Sequence, residues 1–217
     1  VQTGKASFDI SVQVTIPSEC EKLAPINIGV TAGIETDRIS RRWIEKSQIM
    51  NKIIVVSEHA KAGFVNTKYD VVDAQTNRPV KDWGCNVPID VVHYPVKSLD
   101  KTELDLDLDH DFNFLAVAQW GPRKNLKNTI KWFMDEFKND KVGLVVKTNL
   151  AKNCVFDRIA MTNKIKTTVA KFPDAKCSVH LLHGYMTEKE MNGLYTHPKI
   201  KALVSITHGE GFGLPLF

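Results

Sequence analysis

The chain is poor in cysteine, in long apolar runs and in blocks of like charge, and each shortage removes a class of protein. Four cysteines (Cys20, Cys85, Cys154 and Cys177) stand far apart in 217 residues with no Cys-x-x-Cys pair, so they read as reduced cytosolic thiols rather than a disulfide framework. The longest apolar runs, residues 53–56 and 144–146, are far too short to span a bilayer. Lysine and arginine (29) barely exceed aspartate and glutamate (25), and the two signs are interspersed, so nothing in the charge pattern suggests nucleic acid. The excess of +4 suits phosphorylated small molecules or an anionic membrane surface. A cytoplasmic location is expected, with peripheral contact at the inner membrane face left open.

What is present is an alternation of short apolar runs with amphipathic stretches. Strands are predicted at residues 26–31, 52–57 and 89–94, and helices at residues 38–50 and 58–66. A second alternation predicts strands at residues 114–118, 142–147, 178–182 and 202–206, with helices at residues 126–137, 156–172 and 187–196. Thr187 and Glu190 have capping-box spacing, and Ser57 is a good N-cap. Continuous apolar strands joined by helical crossovers imply parallel sheets covered on both faces. The fold class is therefore α/β, with two Rossmann-like domains: residues 1–97, a linker at 98–112, and residues 113–217. Residues 68–88 hold Asn77, Pro79, Gly84, Asn86 and Pro88 and are expected to be mostly turns. The chain opens on Val1 and closes on Phe217 just after a glycine-rich loop, so the expectation is a fragment of a longer product with both domains incomplete.

The chemistry concentrates at the end of the chain. The last predicted strand runs into Thr207-His-Gly-Glu-Gly-Phe-Gly-Leu-Pro215. Glycines at 209, 211 and 213 let the backbone approach a ligand closely. Pro215 falls where the first turn of a following helix tolerates proline. Strand, glycine loop and helix start is the arrangement that offers backbone N–H groups to an anion. It matches neither the P-loop nor the dinucleotide fingerprint, which takes support from ATPase and dehydrogenase readings. Glu210 would repel a phosphate, so hydroxyls are its better partner, and a site for both phosphate and polyol suits a sugar nucleotide.

The string His208-Gly-Glu-Gly-Phe-Gly-Leu-Pro-Leu-Phe217 resembles the donor-site loop of the retaining glycosyltransferases with the GT-B fold, the Glu-x7-Glu group. In that motif the second glutamate would fall at position 218. The resemblance implies that Glu210 holds hydroxyls of the donor sugar, with His208, Gly209, Gly211, Phe212 and Gly213 forming the donor wall. A second match is the predicted strand at 114–118 followed by Pro122-Arg-Lys-Asn-Leu126, which resembles the opening of the family's donor domain. Lys124 then corresponds to the lysine that contacts the diphosphate, where a fixed cation meets the charge gathering on the leaving group. Many members carry an arginine six residues earlier; this chain has Ala118 there, and Arg123 is the candidate substitute. Residues 28–37 and 53–61 resemble the later half of the family's N-terminal domain, with Glu35 and Asp37 more simply solvated than lining a cleft and His59 a helix-surface residue. Gly184 and Tyr185, in the loop after the strand at 178–182, correspond to the segment that packs on the nucleobase. Lys147 ends its strand where open α/β sheets bind ligands.

The resemblance implies transfer of a sugar from a nucleotide diphosphate sugar to a hydroxyl of a glycan or lipid-linked acceptor, with retention, in polysaccharide biosynthesis. The nucleotide sugar is a co-substrate and no metal or other cofactor is required; no nucleic acid partner is expected. Asp105-x-Asp-x-Asp109 lacks the glycine and glutamate of a calcium loop, having His110 and Ala116 at those places, and reads better as a linker with docked leucines. The alternatives are a sugar-nucleotide epimerase or phosphorylase on the same fold, or a non-catalytic sugar-nucleotide-binding or scaffold protein. The 217-residue chain alone is expected to be inactive or weakly active.

Overall fold

Runs rich in valine, isoleucine and leucine, separated by amphipathic stretches, produce two parallel sheets in the computed structural model, which describes residues 7–98, 100–210 and 213–216. The chain divides into two compact units, Val1–Pro95 with Glu210–Gly213, and Val96–Gly209 with Leu214–Phe217. Both sheets are of the α/β type read from the sequence.

The first unit contains strands β1 (Ile10–Val14), β2 (Ile26–Thr31) and β3 (Lys52–Val55), helices α1 (Arg41–Ser47) and α2 (Glu58–Asn66), the hairpin β4 (Lys68–Val72) and β5 (Pro79–Gly84), and strand β6 (Ile89–Val91). The parallel order is β1-β2-β3-β6. Because the order runs one way, right-handed connections all pass over the same face. That face is packed: Ile39, Ile44, Ile53, Val55, Ala60 and Phe64 are buried in one cluster. The other keeps Ile10, Val12, Val14 and Ile26 exposed. Ser40 and Ser57 cap α1 and α2, accepting from the N–H groups of Trp43 and Ala60.

Three expectations change here. β1 was not foreseen: it is an edge strand whose alternate residues face solvent, so it has no continuous apolar run. The stretch expected to be turns is the antiparallel hairpin β4–β5, whose connection is closed by Asp73 accepting from the N–H groups of Gln75 and Thr76 and by Asn77 at φ 52°. The helix expected at 38–50 is a shorter one that starts at the Ser40 cap, because Ile39 is instead buried in extended chain, its N–H held by the Thr67 hydroxyl at 3.1 Å.

The second unit contains β7 (Asn113–Val117), α3 (Leu126–Phe137), β8 (Gly143–Lys147), α4 (Val155–Val169), β9 (Ser178–Leu182), α5 (Glu188–Tyr195) and β10 (Ile200–Leu203). Its order is β10-β7-β8-β9, all parallel. Leu126, Ile130, Phe133 and Met134 lie three and four apart and bury one face of α3 over β7 and β8, with Phe114, Phe133 and Phe137 in ring contact at centroid distances of 5.2–5.9 Å. Full burial of each such side chain contributes about 1.5–3 kcal/mol. α5 starts on the Thr187–Glu190 capping box foreseen from spacing. β10 begins two residues earlier than expected, and the residues around Pro215 form a single 3-10 turn, Leu214–Leu216. Leu104, Leu106 and Leu108 of the acidic stretch dock against Leu115, Val145 and Leu194, and their neighbouring aspartates face away.

Candidate functional site

Strand order in the second unit decides where a ligand can bind. From β7 the chain moves outward through β8 to β9, then returns to place β10 on the opposite side of β7. The connections on either side of that reversal leave opposite faces, which opens a crevice at the carboxyl ends of β7 and β10. The loops that follow those two strands hold Pro122-Arg123-Lys124-Asn125 and Thr207-His208-Gly209, the two segments singled out in the sequence.

The two loops are tied together. The Arg123 carbonyl accepts the His208 N–H at 2.9 Å and the Thr207 hydroxyl at 3.0 Å, while the Arg123 guanidinium donates to the Gly209 carbonyl at 2.6 Å. Asn125 completes the tie. Its backbone is left-handed (φ 55°), a conformation asparagine tolerates, which turns its amide to donate to the Ile206 carbonyl at 3.0 Å. Asn125 is buried, and its own carbonyl takes the Thr129 N–H in the first turn of α3. Sequence reasoning quoted this asparagine within a motif without giving it a role; its position directly before the apolar period of α3 was the available signal.

Lys124 is half-buried beside this junction and Arg123 is exposed. The Arg123 guanidinium is engaged in holding Gly209, so its structural role is to fix the loop. The N–H groups of His208 and Gly209 are also engaged, the second weakly, with the Thr207 hydroxyl at 3.4 Å. The anion-cradling arrangement expected from the glycine loop is thus not made by these two amides. Glu210 is half-buried and, with Gly213 (φ 77°), is grouped with the first unit. Gly211 and Phe212 lie outside the described residues.

The loops after β8 and β9 form a second tied pair. The Trp120 N–H donates to the Asn149 carbonyl at 2.8 Å and the Gln119 amide to the Leu150 carbonyl at 2.9 Å, joining the β7 loop to the β8 loop. Lys147, the last residue of β8, donates from Nζ to the Gly184 carbonyl. Burial pushes its ammonium below the ordinary lysine pKa. Gly184 has φ +112°, with nothing near the place a Cβ would occupy, and Tyr185 beside it is 79% exposed.

Asp157, in the first turn of α4, was not foreseen as a site residue. Its carboxylate accepts the N–H groups of Leu150, Ala151 and Lys152 at 2.8 Å each, and lies 3.0 Å from His183 Nε2. Both side chains are only 4% exposed. Burial pushes the carboxyl up, but the three backbone N–H groups and the His183 hydrogen bond outweigh it and hold Asp157 well below the usual carboxylate range. Placed in the first turn of α4, the Asp157 carboxylate also meets the positive end of the helix dipole. Among the described residues no group of His, Cys, Asp or Glu is arranged to hold a metal, and no helix is long and apolar enough to cross a membrane.

No protein-family model matches the sequence, and no curated protein sequence matches it. Solved structures do match. The lipopolysaccharide outer core galactosyltransferase WaaB, in its apo form, superposes with a TM-score of 0.56 at 15% identity, over 97% of this chain and 53% of that one. TarM gives 0.53 at 18% identity, over 94% and 37%. A trehalose-6-phosphate structure from E. coli, bound with UDP-2-fluoro glucose, gives 0.52 at 9% identity, over 85% and 48%. The chain therefore spans between about a third and about a half of the chains it matches. The likeness carries the fold: two parallel α/β sheets of the GT-B glycosyltransferase type.

Proposed function

We propose that this chain carries the nucleotide-sugar donor site of a glycosyltransferase that moves a sugar from a nucleotide diphosphate sugar to a hydroxyl of a glycan or lipid-linked acceptor, with retention of configuration. The observation that supports it best is the junction of the β7 and β10 loops at the strand-order reversal, where Arg123, Asn125, Thr207 and His208 fasten the Lys124 segment to the start of the glycine loop. Two segments more than 80 residues apart in the chain, singled out by their resemblance to the family's donor domain, meet where an open α/β sheet binds ligands.

In this reading Lys124 meets the diphosphate, Glu210 the hydroxyls of the donor sugar, and Gly184 with Tyr185 the nucleobase. His208, Gly209, Gly211, Phe212 and Gly213 shape the wall, and Arg123 acts by positioning Gly209. Residues 113–217 form the donor domain and residues 1–97 belong to the acceptor domain. The acceptor oxygen attacks the anomeric carbon on the face the diphosphate leaves, the carbon–oxygen bond to the diphosphate breaks, and the acceptor proton passes to a diphosphate oxygen. Charge on the leaving group is met by Lys124, so the step calls for no resident metal. A cytoplasmic supply of nucleotide sugar and a role in polysaccharide biosynthesis fit this reaction.

The test is ligand-detected NMR of UDP-, GDP- and ADP-sugars against the chain, beginning with UDP-glucose because a structural neighbour holds its 2-fluoro analogue. One nucleotide sugar should bind, and Lys124→Ala should weaken it about tenfold or more, as loss of a charge-assisted hydrogen bond does. Transfer is tested on a chain extended past residue 217, where binding that no acceptor converts would assign the site to recognition alone. Absence of binding for all three, with Glu210→Ala and Lys124→Ala without effect, would end the donor-site reading.

A further inference from the structure

Helix α4 has an outward face that the folded unit does not use. Its inward face is set by Asp157, Met161, Ile165 and Thr168, all buried, at spacings of three and four. On the opposite side the first turns carry Val155, Phe156 and Ile159, which are 61%, 84% and 51% exposed. Residues three and four apart on a helix are surface neighbours, so these three make one patch. Leu150, 40% exposed, belongs to the loop whose amides are fastened to Asp157 in the same turn.

The exposed charges of the segment that carries the patch are of one sign. Between Lys141 and Pro173 the chain has seven lysines or arginines and a single acid, Asp157. That acid is turned inward and satisfied by three backbone N–H groups and His183. Lys152 in the same loop, Arg158 in the same turn, and Lys166, seven residues beyond Ile159 on the outward side, are all exposed. Over the whole chain the two signs nearly cancel, so this segregation is local. An apolar tip with an aromatic, flanked in its own segment by exposed cations and by no exposed carboxylate of that segment, has the chemistry that enters the headgroup boundary of an anionic bilayer.

We propose that the N-terminal turns of α4, with the 150–152 loop, form a membrane-surface docking site in which Phe156, Val155 and Ile159 enter the interface and Lys152, Arg158 and Lys166 meet anionic lipid headgroups. The site stands independently of the donor reading. It would hold the second unit at a surface without any spanning segment.

The experiment is cosedimentation of the 217-residue chain with phosphatidylcholine vesicles, with and without about 30 mol% phosphatidylglycerol. Wild type is expected to partition onto the anionic vesicles only, and to be released as ionic strength rises. Phe156→Ser should lower partitioning about tenfold, and Lys152→Gln with Arg158→Gln should lower it by a similar factor. Trp132→Ser, which removes another half-exposed aromatic from α3, should leave it unchanged. Because the Phe156 ring makes little core contact, Phe156→Ser should keep the wild-type circular dichroism spectrum. Phe156→Trp should bind and show a blue-shifted emission on the anionic vesicles. Failure to bind either vesicle, equal binding by Phe156→Ser, or indifference to the charge changes would overturn the proposal. So would self-association in the absence of lipid that Phe156→Ser abolishes, because the patch would then serve a second copy of the chain.

Discussion

Lys147 at the end of β8 reaches across to the carbonyl of Gly184, 37 residues later, and with the His183–Asp157 pair this hydrogen bond fastens the loop after β9. The ammonium is half-buried and destabilised by that burial, while the carbonyl it holds belongs to a residue in a left-handed conformation. Lys147→Met keeps the length of the side chain and removes both the tie and the buried charge. Stability should therefore stay level or rise slightly. Amide exchange in residues 183–187 should quicken about tenfold, the equivalent of a hydrogen bond of about 1.5 kcal/mol. Unchanged exchange would show that the loop is held by other means.

Asp157 makes the acid limb of stability steep. Its folded pKa lies below that of an unfolded aspartate, about 3.9, so the carboxylate favours the folded state above that value. The contribution is complete above about pH 5 and is lost as the pH falls through 4 toward the folded pKa. Asp157→Asn should lower the urea midpoint at pH 7 and flatten its decline between about pH 5 and 3. Asp73 and Glu190 are shifted in the same direction by their hydrogen bonds to Thr76 and Thr187, so the limb should be reduced rather than abolished. A parallel decline in wild type and variant would count against this role.

Gly143 and Asn113 face each other across the start of β7 and β8 at a distance only glycine permits. A Cβ at 143 would stand 1.9 Å from Asn113 Oδ1, and the Asn113 amide is fixed by the His110 and Lys199 carbonyls. Gly143→Ala should cost about 1–3 kcal/mol by overpacking. Combined with Asn113→Ala, its further cost should shrink, and urea denaturation of the four-protein cycle measures that coupling. Additive costs would mean that the clash is relieved elsewhere.

Gly193 sets two effects against each other. Within α5, alanine is favoured over glycine by about 1 kcal/mol. The Cβ would, however, meet the Thr102 carbonyl at 2.0 Å, where the linker runs against the helix and its Thr102 N–H bonds to the Lys189 carbonyl at 3.1 Å. Contact this short involves backbone on both sides, so displacement should win. Limited proteolysis of Gly193→Ala should cut faster between residues 98 and 108 than in wild type. A more stable variant with an intact linker would reverse the sign.

How much of this was legible in the sequence depended on the range of the interaction. Strands β7 and β8 and helix α3 follow from apolar runs and a 3.6-residue period, and the α5 start follows from two residues three apart, because each signal is local. β1 escaped because it lies at an edge and alternates, and the β4–β5 hairpin because Asn77, Pro79 and Gly84 read equally as loop and as hairpin punctuation. In the candidate site the residue types at 123–125 and 207–209 were legible. The Arg123–Gly209 and Asn125–Ile206 bonds span more than 80 residues, and which donor meets which carbonyl is fixed only once the strand order reverses. Asp157 and His183 were hidden for the same reason: their pairing requires α4 and β9 to pack first.

The loop after β9 carries a constraint of handedness rather than of size. Around Gly184 there is open space where a side chain could stand, but the backbone there has φ +112°, which an L-residue rarely adopts. A D-alanine at 184 would satisfy the backbone, whereas L-alanine would find room for its methyl but would have to rotate the peptide whose carbonyl Lys147 holds. Chirality at this one position is thereby coupled to the course of the loop that exposes Tyr185.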